Sequence, residues 1–231
     1  MKCVVPLAGP DLVHPVHEFR PWVPLGGLPL LERALGSRPW KGQLASSDHV
    51  FVLRETPQIE RLEAWLRERW PGSRQVRLSH LTEGALYSAL AGVAGLSGDD
   101  EPIVVDLADI LFEDGPQDLE ALFDGETGMV VPCFDSDEPC FSYLRSEDGR
   151  VVEAAEKRVI SRAASAGVYV FRDRPTFLKA AAHSIANRET LAYRGVLFVC
   201  PMANGVIADG FDVLAPMLSA VDPIGKAFHD A

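Results

Sequence analysis

Three points along the chain combine chemically useful groups with a position just outside an apolar run. Ala8-Gly9 follows Cys3-Val4-Val5-Pro6-Leu7, Thr82-Glu83-Gly84 opens a helical apolar pattern, and Asp106-Leu107-Ala108-Asp109 ends the run Pro102-Ile103-Val104-Val105. Short apolar runs that stop at turn residues read as buried parallel strands. In an open, mostly parallel sheet, ligands lie in the crevice beyond the carboxyl ends of the strands. A helix start offers unpaired N–H groups to a phosphate or a base edge, and Gly84 lets a ligand come close to the backbone. Mg²⁺ takes oxygen ligands, commonly one or two carboxylates completed by substrate phosphates, which makes Asp106 and Asp109 candidate holders of a metal. Each feature has a plainer alternative: a glycine loop as a turn, D-x-x-D as a helix cap, and Asp209-Gly210 as a turn. His14 and His17 are either an acid/base pair or ordinary loop histidines. The Glu153, Glu156, Lys157 and Arg158 group reads first as a charged strand edge.

The elements that must hold these groups follow from periodicity. His49 to Leu53 and Gln75 to Leu78 read as strands, and Ile59, Leu62 and Leu66 with Trp65 mark an amphipathic helix after Pro57. A helix from Gly84 carries Leu86, Leu90, Val93 and Leu96 and is expected to close at Ser97-Gly98. Residues 10 to 29, rich in Pro and Gly and holding His14, His17 and Arg20, form a long early loop of the kind that is usually functional. Beyond it the texture changes: Gly128 to Phe134, Phe141 to Arg145, Val151 to Glu156 and Ala166 to Phe171 read as strands joined by turns such as Glu147-Asp148-Gly149. Pro175 to Ile185 is helical, and Val196 to Val199 is apolar again. No repeat or linker divides the chain, so one domain over residues 1–231 is expected, with an alternating α/β front half and a more antiparallel back half over one core.

Composition limits the partners. A chain of 231 residues with 47% hydrophobic content can bury a substantial core. No apolar run approaches the roughly 20 residues that cross a bilayer, and the first residues lack a signal-peptide pattern; a cytoplasmic protein without a membrane partner is expected. The four cysteines are scattered, with no C-x-x-C pair, and read as reduced thiols. The formal charge of −11, without a basic block, argues against nucleic acid as a partner. An anionic substrate must then be met by local cations, with a metal ion helping.

In their order, these pieces resemble the sugar-phosphate nucleotidyltransferases, in particular short, single-domain, capsule-type members. Val4 to Gly9 looks like the family's first strand and phosphate loop, and Arg20-Pro21-Trp22-Val23-Pro24 through Pro29-Leu30-Leu31 is similar to its K-P-x-x-P-x-x-x-x-P-L-I segment. His80 to Ala85 resembles the element that contacts the nucleobase, and Pro102 to Asp109 the strand that delivers the Mg²⁺-binding aspartate. Val152 to Lys157 resembles the E-K segment whose Lys contacts the sugar phosphate; Ser165 to Phe171 and Phe198 to Asn204 resemble later elements. The resemblance implies a GT-A-like α/β fold, a three-layer α/β/α sandwich with a mixed, mostly parallel central sheet. It implies attack by a sugar 1-phosphate, or a similar small phosphate or phosphonate, on the α-phosphorus of an NTP, with pyrophosphate released. The implied roles are Asp109 and Asp209 on Mg²⁺, with Asp109, Arg20 and Lys157 catalytic. Ala8, Gly9, Arg20, Thr82, Glu83, Gly84 and Asp106 would bind the nucleotide, and Glu156, Lys157 and Gly167 the acceptor, which makes 1–125 the nucleotide-binding half and 126–231 the acceptor-binding half.

The chain departs from the family at the first loop, where Gly9-Pro10-Asp11-Leu12-Val13 stands against G-x-G-x-R. Arg20 stands where the family has Lys, and with His14 or His17 it is the candidate to replace the missing contacts. Two readings follow: an active nucleotidyltransferase with an altered loop, or a non-catalytic relative that binds a nucleotide, a sugar nucleotide or a protein partner.

Overall fold

A computed structural model of the chain describes residues 1–123 and 125–224. Seven strands form the central sheet, in the spatial order Asp212–Leu214, Thr127–Val130, Val168–Phe171, Ile103–Asp106, Lys2–Pro6, His49–Arg54 and Arg74–Leu78. Four of these, from Ile103–Asp106 across to Arg74–Leu78, run parallel to one another. Val168–Phe171 runs antiparallel to both its neighbours, and Asp212–Leu214 is parallel to Thr127–Val130. The interior strand Lys2–Pro6 is apolar through its middle because both faces are covered: Val4 and Val5 are fully buried.

Helices cover both faces. Leu30–Gly36 and Ile59–Arg69 pack on one. Ile59, Leu62 and Leu66 recur at helical spacing, and all three are buried. Ala85–Ala94, Arg174–Ala186 and Met202–Ala208 pack on the other. The result is the three-layer α/β/α arrangement expected from the sequence. A second, four-stranded antiparallel sheet orders Cys133–Asp135, Ala163–Ser165, Tyr143–Glu147 and Arg150–Ala155.

Several local expectations change. The run Gly128 to Phe134 is two strands in two sheets, because the chain crosses between them at Val131-Pro132 and Pro132 has no N–H to donate to a ladder. The helix from Gly84 stops at Ala94, capped by Gly95, three residues before Ser97-Gly98. The early loop is tied down by two two-residue hairpins and two 3₁₀ turns, and it buries Leu12 and Phe19. Val196 to Val199, apolar in the sequence, packs its backbone on the helix start, with Leu197 N–H donating to the Glu83 carbonyl at 3.0 Å. Among the described residues no helix is long and apolar enough to cross a membrane.

Candidate functional site

The carboxyl ends of the parallel strands gather one buried constellation around Asp109. Its loop is built by Asp106, the last residue of its strand, whose carboxylate is gripped by Arg38 through two hydrogen bonds of 2.7 and 2.8 Å. Both side chains are almost fully buried, at 1% and 2% exposure. Arg38 also donates to the Ile110 carbonyl at 2.7 Å and lies 4.3 Å from the centre of the Phe112 ring. Asp106 Oδ1 further accepts the Ala108 N–H at 2.8 Å, drawing Ala108 into a left-handed conformation with φ of +54°. This folds the chain back sharply and presents Asp109. Asp106, expected to touch the nucleotide, anchors that loop, with Arg38 bonding both its oxygens and Ala108 N–H one of them. Arg38 carries no motif; the only sequence-level hint of it is that a buried aspartate at a strand end needs a counter-ion.

Asp109 itself is held differently. Its Oδ1 is buried and has no hydrogen-bond partner among the described residues. Burial pushes its carboxyl up from the ordinary carboxylate range; the Arg20 charge opposes this, and the Asp106 charge adds to it. Gly167, at φ +73°, lies directly over it: a Cβ there would sit 2.5 Å from Asp109 Oδ1. Only glycine satisfies both demands.

The back half contributes the neighbouring wall. Burial raises Glu156 to about 7, against a hydrogen bond from Ser142 and the Lys157 charge, while Asp109 adds to the rise. Lys157 follows in a left-handed conformation, φ +49°, with its ammonium 5.6 Å from the Tyr193 ring and 5.4 Å from that of Phe198. Non-glycine residues held in this region cluster at functional sites. Glu156, Lys157, Tyr193 and Asn204 line a cavity of about 540 Å³. Asn204 fixes this strand end by accepting from Ala154 N–H at 2.9 Å and donating to its carbonyl at 2.8 Å. Glu153 and Arg158 behave as the charged strand edge, paired at 2.7 Å.

The first loop and the helix start complete the rim. Ala8 is buried and Gly9 begins the 3₁₀ turn Pro10–Leu12. Asp11 pairs with Arg20, so the loop's acid is neutralised by the cation expected to bind phosphate. His14 Nδ1 accepts the backbone N–H groups of Val16 and His17 at 3.2 and 3.1 Å, a hairpin-capping role. Gly84, at φ +130°, is shaped by the protein's own backbone: a Cβ would fall within 2.8 Å of Leu197 N, so the close approach there is made by Leu197. Thr82 Oγ1 bonds the Gly84 carbonyl at 3.1 Å and Ser88 Oγ at 3.0 Å. Glu83 pairs with Arg188 at 2.6 Å.

Asp209 does not join this group. It precedes the strand Asp212–Leu214, whose start pairs with Thr127 and whose end pairs with Val130. Met129 and Val130 pair with Phe171 and Val170, which in turn face Ile103 and Val104. Asp209 therefore lies at the amino end of the parallel strands, opposite Asp109, and it pairs there with Lys179 at 3.0 Å. The residue this strand delivers at the Asp109 end is Leu214. Among the described residues no three His, Cys, Asp or Glu side chains gather as a metal cage. A hard cation at Asp109 would therefore have to draw most of its oxygens from a ligand or water.

The fold is a three-layer α/β arrangement shared with solved nucleotidyltransferases. A nucleoside-diphosphate-sugar pyrophosphorylase from Vibrio cholerae matches with a TM-score of 0.79 at 18% identity, over 99% of this chain and 100% of that one. A Bacillus anthracis protein assigned as a glucose-1-phosphate thymidylyltransferase matches at 0.72 and 17% identity, over 97% and 90% of the two chains. An inositol-1-phosphate CTP transferase from T. maritima matches at 0.64 and 15% identity, over 94% and 84%. No protein-family model and no curated protein matches the sequence. At these identities the likeness is one of fold, and it spans nearly the whole chain.

Proposed function

We propose that this protein is a nucleotidyltransferase that moves a nucleoside monophosphate from an NTP onto a small phosphorylated acceptor, releasing pyrophosphate. The observation that carries the reading is Asp109: a half-buried side chain with one buried, unpartnered carboxylate oxygen, held under Gly167 within electrostatic reach of Glu156. Transfer at phosphorus needs little covalent chemistry from a protein; it needs the reactants aligned and their negative charge neutralised. Mg²⁺, when bound, would supply that neutralisation, and the Asp109 carboxylate would hold it, since one carboxylate plus substrate oxygens is a common Mg²⁺ arrangement. Lys157 would bind the acceptor phosphate from the cavity beside Tyr193, and Arg20 would face the donor phosphates beside Asp11. The backbone from Thr82 to Gly84 would meet the base. The three matched proteins bear names of sugar or inositol phosphate chemistry, which supports an acceptor of that kind.

One observation favours a second reading, a non-catalytic nucleotide binder: Arg20 is already paired with Asp11. A thermal-shift panel separates activity-competent binding from none. A ligand that binds only the folded state raises its melting temperature. One of ATP, CTP, GTP, UTP or dTTP is expected to stabilise the protein only with Mg²⁺. Stabilisation by a nucleotide without Mg²⁺, and no pyrophosphate formed, would favour the binder; no shift with any of them at millimolar concentration would overturn both.

A further inference from the structure

We propose that Arg54 is the cation of this site that grips the polyphosphate of the nucleotide, a deepening that rests on the nucleotide-binding reading above. Arg54 is the last residue of the strand His49–Arg54, which lies directly beside Lys2–Pro6 in parallel register. Leu7 N–H bonds the Val52 carbonyl at 2.8 Å, so the first loop leaves the sheet alongside Arg54. The guanidinium reaches that loop: Nη2 lies 3.4 Å from the Gly9 carbonyl, a long contact. Its Nε is buried and has no hydrogen-bond partner among the described residues.

Charge bookkeeping around the loop singles this arginine out. Arg20 is paired with Asp11, Arg38 with Asp106, and Arg77 on the adjoining strand with Glu55, Glu60 and Glu63. Arg54 has no carboxylate partner among the described residues, although its neighbour Glu55 is drawn away to Arg77. A half-buried guanidinium that bonds one carbonyl weakly leaves most of its five donors unused, and an unsatisfied buried donor costs free energy unless a ligand or water takes it up. In a chain of net charge −11, an unpaired cation at the mouth of the strand-end crevice is the local counter-charge that an anionic ligand requires. The planar fork of arginine suits the non-bridging oxygens of two adjacent phosphates.

The test is titration calorimetry of wild type, Arg54→Gln and Arg54→Lys with inorganic tripolyphosphate and with the five NTPs, all with Mg²⁺. The inference expects tripolyphosphate and one NTP to bind the wild type, Arg54→Gln to weaken both at least 10-fold, and Arg54→Lys to recover part of the loss. Equal binding of tripolyphosphate by wild type and Arg54→Gln, or none by the wild type, overturns it. If tripolyphosphate binds in an Arg54-dependent way but no NTP does, the inference stands and the nucleotide reading fails. If an NTP binds wild type and Arg54→Gln alike, the reading stands and the inference fails. Unliganded melting curves establish that each variant is folded, and Arg54→Met replaces Arg54→Gln if the latter is not.

Discussion

Arg38→Met removes the counter-ion of Asp106 and leaves a carboxylate buried at 1% exposure with only the Ala108 N–H to satisfy it. Breaking a buried, hydrogen-bonded pair by removing one partner costs about 3–5 kcal/mol, because the remaining charge is uncompensated. Unfolding entropy of about 2.1 cal/mol/K per residue gives about 0.5 kcal/mol/K for a chain of 231 residues. Dividing the two predicts a Tm about 6–10 °C below wild type. The paired replacement Arg38→Met with Asp106→Leu removes both charges at once and should recover most of the loss, since well-packed apolar substitutes for a buried pair are often neutral. The site should respond separately from stability. Without the Arg38 grip on Asp106 and on the Ile110 carbonyl, the loop that presents Asp109 loses its anchors, so nucleotide-induced stabilisation should weaken in both variants. Differential scanning calorimetry with and without nucleotide and Mg²⁺ reads both effects. A Tm for Arg38→Met within about 1 °C of wild type would refute the argument that this pair is a desolvated structural anchor.

Further outcomes follow from the same geometry. Gly167→Ala forces a Cβ to 2.5 Å from Asp109 Oδ1 at φ +73°. It should cost about 1–3 kcal/mol and abolish Mg²⁺-dependent nucleotide stabilisation; unaltered stabilisation in that variant would show that Asp109 is not the ligand. Glu156 is raised from 4.5 to about 7 in the folded chain. Between those values the fold holds a proton that the unfolded chain has released, so stability falls as pH rises through that window and the loss is complete above 7. Glu156→Gln should flatten this slope in melting curves taken from pH 5 to 8 (roughly the span about the neutral titration), and an unchanged slope would assign the titration to another group. Asp209→Asn breaks an exposed pair with Lys179 at the far end of the sheet, worth about 0–1 kcal/mol, and should leave nucleotide binding as it is in wild type.

Much of the fold was legible because apolar runs and helical periodicity report burial directly. Val4 and Val5 in the centre of the sheet, and Ile59, Leu62 and Leu66 on one helix face, needed nothing beyond spacing. At Val131-Pro132 the proline itself marks the break, since it cannot donate to a ladder, but the apolar residues on both sides conceal which sheet each half joins. The site was legible as positions more than as roles. Asp106 and Asp109 look alike in sequence, yet Arg38, 68 residues earlier, engages one and leaves the other with a bare oxygen. Asp209 looked like a second carboxylate because strand direction is invisible in sequence; the parallel pairing of Asp212–Leu214 turns it to the opposite end. Gly84, expected to let a ligand come close to the backbone, is approached by the backbone of Leu197.

The central claim is that Asp109 organises phosphoryl chemistry at the carboxyl ends of the strands. The measurement that tests it most directly is pyrophosphate release from the five NTPs with Mg²⁺ and a panel of sugar 1-phosphates and inositol 1-phosphate, comparing wild type with Asp109→Asn. The account predicts release by the wild type with one nucleotide and a loss of at least 100-fold, about 2.7 kcal/mol of transition-state stabilisation, in a variant whose melting curve remains cooperative. Full turnover by Asp109→Asn would contradict it, as would a wild type that stays silent with every pair.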